Sequence, residues 1–244
     1  MKALNIGLGI FLLTCSAWAG TFLETFDEEN LEAWQELIWL DIDIGEASWE
    51  ITDGAFQAFV PLGITRLFTM GDERWRDYVI KFDVKPIEKH GFGGIAVAAR
   101  VKGTWAVWCM IGDQIRNANK GILQERESRV TCFSGNFHIK DQIRTLASTP
   151  SPLLSLNKWS TLKLSVKKDV LTFWINDKDI LGPVVLELPD EFPPLLTGGI
   201  GLGLGGYTAH FDNISITGDT ILDTGGFSVE PGMKLTTTWG KLKR

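Results

Sequence analysis

Apolar and polar positions alternate along most of this chain. Tyr78, Ile80, Phe82 and Val84 point one way and Lys81, Asp83 and Lys85 the other, the period of two that a half-buried strand requires. Pro86 is expected to stop that run. Leu162, Leu164 and Val166 repeat the pattern against Lys163, Ser165 and Lys167, and Leu171, Phe173 and Ile175 repeat it again. Only the compact pair Lys168-Asp169 separates these two runs, which predicts a hairpin. The same reading predicts strands over residues 22–26, 48–52, 55–60, 64–68, 94–101, 105–111, 128–133, 199–205 and 209–217. Asp53-Gly54, Pro61, Gly71-Asp72, Lys102-Gly103, Asn176-Asp177 and Gly218-Asp219 punctuate them as turns. A helix is suggested only over 28–36. A dozen short strands with so little helix predict an all-β sandwich or barrel.

The first 19 of the 244 residues break the pattern. Lys2 precedes an apolar run over 6–13, and Ala17 and Ala19 are small at the positions a signal peptidase inspects, so residues 1–19 read as a signal peptide cleaved before Gly20. The run is too short to span a bilayer, and no later stretch is long enough. A rival reading acylates Cys15 as a lipoprotein, although Thr14 is bulkier than the residue usually found before such a cysteine. Either way the sequence predicts export, to the medium, the periplasm or the cell surface. Residues 20–218 are then one sandwich and 219–244 a C-terminal extension. The extension carries Lys234, Lys241, Lys243 and Arg244 around Trp239, a segment suited to a protein partner.

The formal charge is −6, and −7 once Lys2 leaves with the leader, so the overall field would not draw nucleic acid. Cleavage leaves Cys109 and Cys132, a natural disulfide pair in an oxidising compartment, with two buried thiols as the alternative. Such a bridge is worth roughly 3 kcal/mol in the chain-entropy model.

The order of segments adds a resemblance. ETFD (24–27), SWEITDG (48–54) and WRDYVIKFDVKP (75–86) are followed by GGIAVAARV, WSTLKLSV, VLTFWINDKDIL and GGIGLGLGGYTAHFDNISITG. Over residues 21–218 this resembles the concanavalin A-like lectin/glucanase superfamily, particularly the laminin-G-like and 3-keto-disaccharide hydrolase-type domains of bacterial secreted proteins. The resemblance implies a jelly-roll sandwich of two antiparallel sheets, one concave, with glycans bound on the concave face or its rim. It also implies a structural calcium ion, for which Asp27 and Asp212 are the candidate ligands.

Candidate chemistry follows from residue types and alternation. Sugar rings stack on indoles, and Trp108 and Trp174 both lie on the opposite face from their inward neighbours, either as a glycan platform or packed beneath loops. Arg100 and His138 are polar candidates beside them. For hydrolysis the candidates are Arg100, Asp113 and Glu125, with Glu127 next to it. The chain departs from the hydrolase type, however, carrying Gly93-Gly94-Ile95 where that type has Asn-Ser-Gly-Ile, and Trp108-Cys109 where it has Tyr-Glu. Asp41, Asp43 and Glu46 spell D-x-D-x-x-E, close to a laminarinase-like signature but too early in the chain. His90, His138 and His210 are too widely spaced for a zinc motif. The expected function is therefore an exported carbohydrate-binding module. A glycoside hydrolase of 3-keto-disaccharide type and a protein-adhesion module are the alternatives.

Overall fold

The computed structural model describes residues 20–26, 31–42, 45–52, 55–115 and 126–221, with Gln114, Ile115 and Arg126 as backbone only. Residues 1–19 with Cys15, the candidates Asp27 and Glu125, Asp43 of the D-x-D-x-x-E stretch, and the segment from 222 onward lie outside the described residues.

The described residues form fifteen strands in two antiparallel sheets. One sheet holds β1 (Gly20–Glu24), β3 (Ser48–Thr52), β4 (Ala55–Val60), β6 (Tyr78–Lys89), β11 (Ser160–Lys167), β12 (Val170–Ile175), β13 (Lys178–Val185) and β15 (Tyr207–Gly218). Its order is β13-β12-β11-β6-β15-β4-β3, with β1 also on β15. The other holds β2 (Gln35–Ile38), β5 (Arg66–Met70), β7 (Gly94–Lys102), β8 (Trp105–Ile115), β9 (Arg126–Asn136), β10 (Ile143–Pro150) and β14 (Gly199–Leu204). Its order is β10-β9-β8-β7-β14-β5-β2.

The alternation explains the core. Tyr78, Ile80, Phe82 and Val84 of β6, Leu162, Leu164 and Val166 of β11, and Leu171 and Phe173 of β12 are fully buried from one side. Val97, Val107, Cys109, Val130, Cys132 and Leu202 meet them from the other. The hairpin at Lys168-Asp169 is present, with Lys167 opposite Val170 and Lys168 in the left-handed region. Cys109 and Cys132 lie directly opposite each other on β8 and β9 and are disulfide-bonded. An aromatic group closes one part of the core: Trp34 stacks on Phe68 at 5.2 Å, Trp49 on Phe68 at 4.9 Å, and Phe26 on Phe56 at 4.7 Å.

Two expectations are corrected. Pro86 does not end its strand, because β6 continues to Lys89. The pairing with β11 stops at Val84, and the register with β15 slips between Thr208 and Ala209, so Pro86 sits beside a bulge where its missing N–H is tolerated. The described part of the suggested helix, residues 31–36, is a turn leading into β2, because Trp34 must reach Phe68 in the core.

Candidate functional site

The outward side of the seven-stranded sheet has two different halves. One is aromatic. Trp108 projects outward from β8 and is covered: Phe133 of β9 stacks on it at 5.3 Å, while Trp39 and Phe137 meet it edge-on at 5.8 and 5.3 Å. Trp39 belongs to a short 3-10 turn, Trp39–Asp41, anchored by backbone bonds from Trp39 N to Thr65 O and from Leu40 N to Phe137 O, both 2.9 Å. The floor beneath is made of small residues, Ala96 and Ala98 on β7 and Gly201 and Gly203 on β14. A Cβ on Gly203 would come within 2.6 Å of the Ala96 Cβ, so only glycine lets these neighbours pack.

The other half is polar and is built by one strand. Along β9 the sequence E-S-R-V-T-C-F sends Ser128, Val130 and Cys132 inward and Glu127, Arg129, Thr131 and Phe133 outward. Arg129 Nη1 donates to Glu127 Oε2 at 2.9 Å and Arg129 Nε donates to Ser148 Oγ at 2.9 Å. Ser148 comes from β10 and lies 2.8 Å from the Thr131 hydroxyl. Six residues separate Phe133 from Glu127, so the row spans roughly 20 Å. Arg129 and Glu127 keep 24% and 30% of their side chains exposed, enough to meet a ligand.

The other candidates lie elsewhere. Trp108 is 1% exposed and cannot itself stack a sugar ring; Trp39 and Phe133, half-buried above and beside it, carry the accessible aromatic surface. Trp174 is outward on β12, on the far side of the sandwich from Trp108, so the two form no common platform. His138 follows Phe137 at the aromatic end; its backbone N–H donates to Asn136 Oδ1 at 3.0 Å, and its Nε2 is enclosed without a hydrogen bond.

Arg100 is interior. A register slip between Ala99 and Lys102, with Arg100 itself at φ 52°, turns the side chain away from the row of Ala96 and Ala98. Its guanidinium donates to Leu195 O at 2.8 Å and Lys168 O at 2.5 Å, and its backbone N–H to the Tyr78 hydroxyl at 2.6 Å. Burial pushes its pKa down, partly offset by Tyr78, Asp77 and Asp169. It forms the base of a cleft of about 380 Å³ walled by Leu186, Leu188, Phe192, Pro194 and Leu196.

Asp113 faces inward at the opposite end of the sheet. It pairs with Lys89 at 2.6 Å, and Lys89 Nζ lies 5.2 Å from the centre of the Tyr207 ring. Burial first, and the Asp113 charge second, hold the Tyr207 hydroxyl well above its ordinary pKa. About six residues of β7 separate the ends that carry Arg100 and Asp113, roughly 20 Å, so the expected Arg100–Asp113 centre does not assemble.

Calcium needs roughly six to eight oxygen ligands. Among the described residues no three His, Cys, Asp or Glu side chains come together to hold a metal ion. Asp212 accepts from the Asn213 backbone N–H at 2.7 Å, and the neighbouring Asp83 accepts from Thr161 at 2.6 Å and Asn213 Nδ2 at 3.1 Å. These carboxylates serve the strand bulge, and the described residues do not fit the calcium site.

This architecture is a jelly-roll sandwich of two antiparallel sheets. Within it, the chain belongs to the family of 3-keto-alpha-glucoside-1,2-lyase-like domains, which it matches over residues 21–217. No curated protein matches the chain in sequence. Similar solved structures include a carbohydrate-binding module of Bacillus subtilis, CBM66, at TM-score 0.51 and 15% identity, covering 75% of this chain and 94% of that one. A Bacillus subtilis protein of unknown function with a galectin-like fold has TM-score 0.50 and 14% identity, covering 81% and 96%. The carbohydrate recognition domain of Emp46p, in metal-free form, has TM-score 0.50 and 11% identity, covering 81% and 95%. At these identities the likeness is one of fold.

The aromatic and polar residues of β9 were within reach of the sequence, since alternation alone puts Glu127, Arg129, Thr131 and Phe133 on one side. Ser148 carried no such signal, because β10 was not predicted as a strand.

Proposed function

We propose that this protein is an exported glycan-binding module whose recognition surface is the outward side of the seven-stranded sheet. The observation that carries this reading is a single strand that presents the Phe133 ring and, four residues away on the same side, the half-buried Arg129–Glu127 pair, with the buried Thr131 hydroxyl between them bracing Ser148. Sugars need that pairing: an apolar C–H face to lie on a ring, and hydroxyls to give and take hydrogen bonds at the edge. Ser148 and Glu127 hold the Arg129 guanidinium in place before any ligand arrives, which lowers the ordering cost of binding.

Family membership supports a second reading, cleavage of a 3-keto-glucoside. Against it, Asp113 and Glu127 sit near each other in register but on opposite sides of the sheet, so this described pair does not flank one bond.

Calorimetric titration with a panel of neutral oligosaccharides, each also assayed for released product, tests both readings. Wild-type protein should bind saturably without turnover, and Arg129→Ala and Phe133→Ala should each weaken binding about tenfold, the loss of one charged hydrogen-bonding group or one stacking ring. Wild-type protein that binds none of the panel would overturn the proposal, and turnover would replace it with the second reading.

A further inference from the structure

Eight tryptophans are described, and six of them belong to or pack against a buried cluster: Trp34, Trp39, Trp49, Trp75, Trp105 and Trp108. Trp159 and Trp174 do neither. Both lie on the outward side of the eight-stranded sheet, the opposite side of the molecule from Arg129. Trp159 is 46% exposed. Each indole has a lysine amino group as its ring partner, Lys85 Nζ at 5.1 Å from Trp159 and Lys163 Nζ at 4.5 Å from Trp174. Neither makes an aromatic contact with another described ring of the kind that buries the remaining tryptophans.

Register fixes their relation. Trp159, Thr161 and Lys163 follow one another on the outward side of the β11 run, and Lys163 is directly opposite Trp174 on β12. Four residues along the strand and one strand across put the indoles roughly 14 Å apart. Between them lies a set of polar groups already held in place. Thr161 Oγ1 donates to Asp83 at 2.6 Å, Asn176 Oδ1 accepts from the Thr161 backbone N–H at 2.8 Å, and Lys163 reaches Asp177 at 3.3 Å. Lys81, Lys85 and Lys163 are matched by Asp83, Asp177, Asp179 and Asp212, so the surface is near charge balance.

Building on the glycan-binding reading, we propose that this second surface grips a neutral polysaccharide chain, with Trp159 and Trp174 as two stacking platforms and the Thr161–Asp83–Asn176 group as hydrogen-bonding partners between them. An exposed indole, Trp159, and a half-buried one, Trp174, separated by hydrogen-bonding groups suit a chain of successive rings, each with an apolar face and polar edges. Near charge balance suits an uncharged chain over a polyanion. The lysines do not block it, because an exposed cation–π contact holds only about 0.5–1 kcal/mol and a lysine stem swings aside. The two surfaces face opposite ways, so one would hold polymer while the other remains open to a shorter ligand.

Affinity electrophoresis in gels containing laminarin, mixed-linkage β-glucan, xylan or galactomannan tests this, with the full chain as wild type, as W159A/W174A and as R129A/F133A. W159A/W174A should be retarded at least about tenfold less by the polymer that retards the wild type, the size expected for two lost stacking contacts. Its midpoint of thermal unfolding should stay within about 2 °C, since neither indole packs against the core. W159F/W174F, which keeps an aromatic face, should restore much of the retardation. Undiminished retardation of W159A/W174A overturns the inference, and if R129A/F133A alone loses binding, the other surface stands without it. Loss in W159A/W174A with R129A/F133A unchanged supports this surface, and the oligosaccharide titration decides the other. A wild type retarded by none of the polymers overturns it as well, and oligosaccharide titration then decides the first surface separately.

Discussion

Two arginines of the seven-stranded sheet, Arg100 and Arg129, show how the same side chain is committed to opposite ends. Arg100 is 1% exposed, and its guanidinium joins the carbonyls of Lys168 and Leu195, tying the β11–β12 hairpin to the loop before β14. Arg129 is a quarter exposed and its bonds go to two side chains, Glu127 and Ser148, that share its surface. A guanidinium enclosed by backbone carbonyls is a fastener, because moving it leaves buried acceptors unpaired. A guanidinium braced by side chains at a surface is available to a ligand. Burial and the kind of partner, more than residue type, separate the two.

The largest effect should come from Arg100. Arg100→Ala strands two buried carbonyls and opens a void beside Leu195, and should cost on the order of 3 kcal/mol in urea denaturation. Arg100→Lys should recover little, since one ammonium on a flexible stem does not reproduce a planar fork spanning both carbonyls. If Arg100→Ala were to keep its stability and lose glycan binding, the fastener assignment would be wrong and the cleft at its base would become the site.

The next effect concerns the partner that meets the Arg100 backbone. The buried Tyr78 hydroxyl accepts from the Arg100 N–H and shares its own proton between Gly198 O and Gly199 O, at 2.9 and 2.8 Å. Burial lifts its pKa well above the ordinary value of about 10, as it does for Tyr207. The folded pKa is thus raised above the unfolded one. The stabilising contribution is complete below pH about 10 and is lost as pH climbs beyond it, because the unfolded chain releases the proton first. Tyr78→Phe should cost about 1–2 kcal/mol at neutral pH and flatten the fall in denaturation midpoint between pH 9 and 11. An alkaline slope identical in the variant would show that Tyr78 does not titrate with unfolding.

The sequence made the interior strands legible and the edges obscure. β2, β10 and β13 went unpredicted, and each ends a sheet path. With a neighbour on one side only, their residues are exposed or half-buried and the alternation blurs; β10 has no buried residue, where β11 buries every second one from Ser160 to Val166. Alternation also placed Trp108 outward correctly, yet outward did not mean exposed. Its cover comes from Trp39 and Phe137, distant in sequence and carried by a turn and a loop that no periodic pattern announces. Arg100 fails the other way: alternation sets it beside Ala98, and a register slip turns it inward. Bulges depend on how neighbouring strands pair, which a single strand's pattern does not encode.

The smallest effect on stability should sharpen the comparison most. Ser148 is exposed on β10, and its hydroxyl is the shared partner of Arg129 Nε and Thr131 Oγ1, at 2.9 and 2.8 Å. Ser148→Ala removes both bonds, but Arg129 keeps Glu127 and is open to water, so unfolding should shift by less than about 1 kcal/mol. Affinity should respond more. Without Ser148 the guanidinium regains rotamers that binding must freeze again, a cost of about 0.5–1.5 kcal/mol or a few-fold in Kd. Calorimetry of Ser148→Ala against wild type should therefore show weaker glycan binding at nearly unchanged stability, and Ser148→Thr, which keeps the hydroxyl, should bind like wild type. Equal affinity in all three proteins would mean that Arg129 is not held for a ligand, and the difference between the two arginines would then reduce to one of exposure.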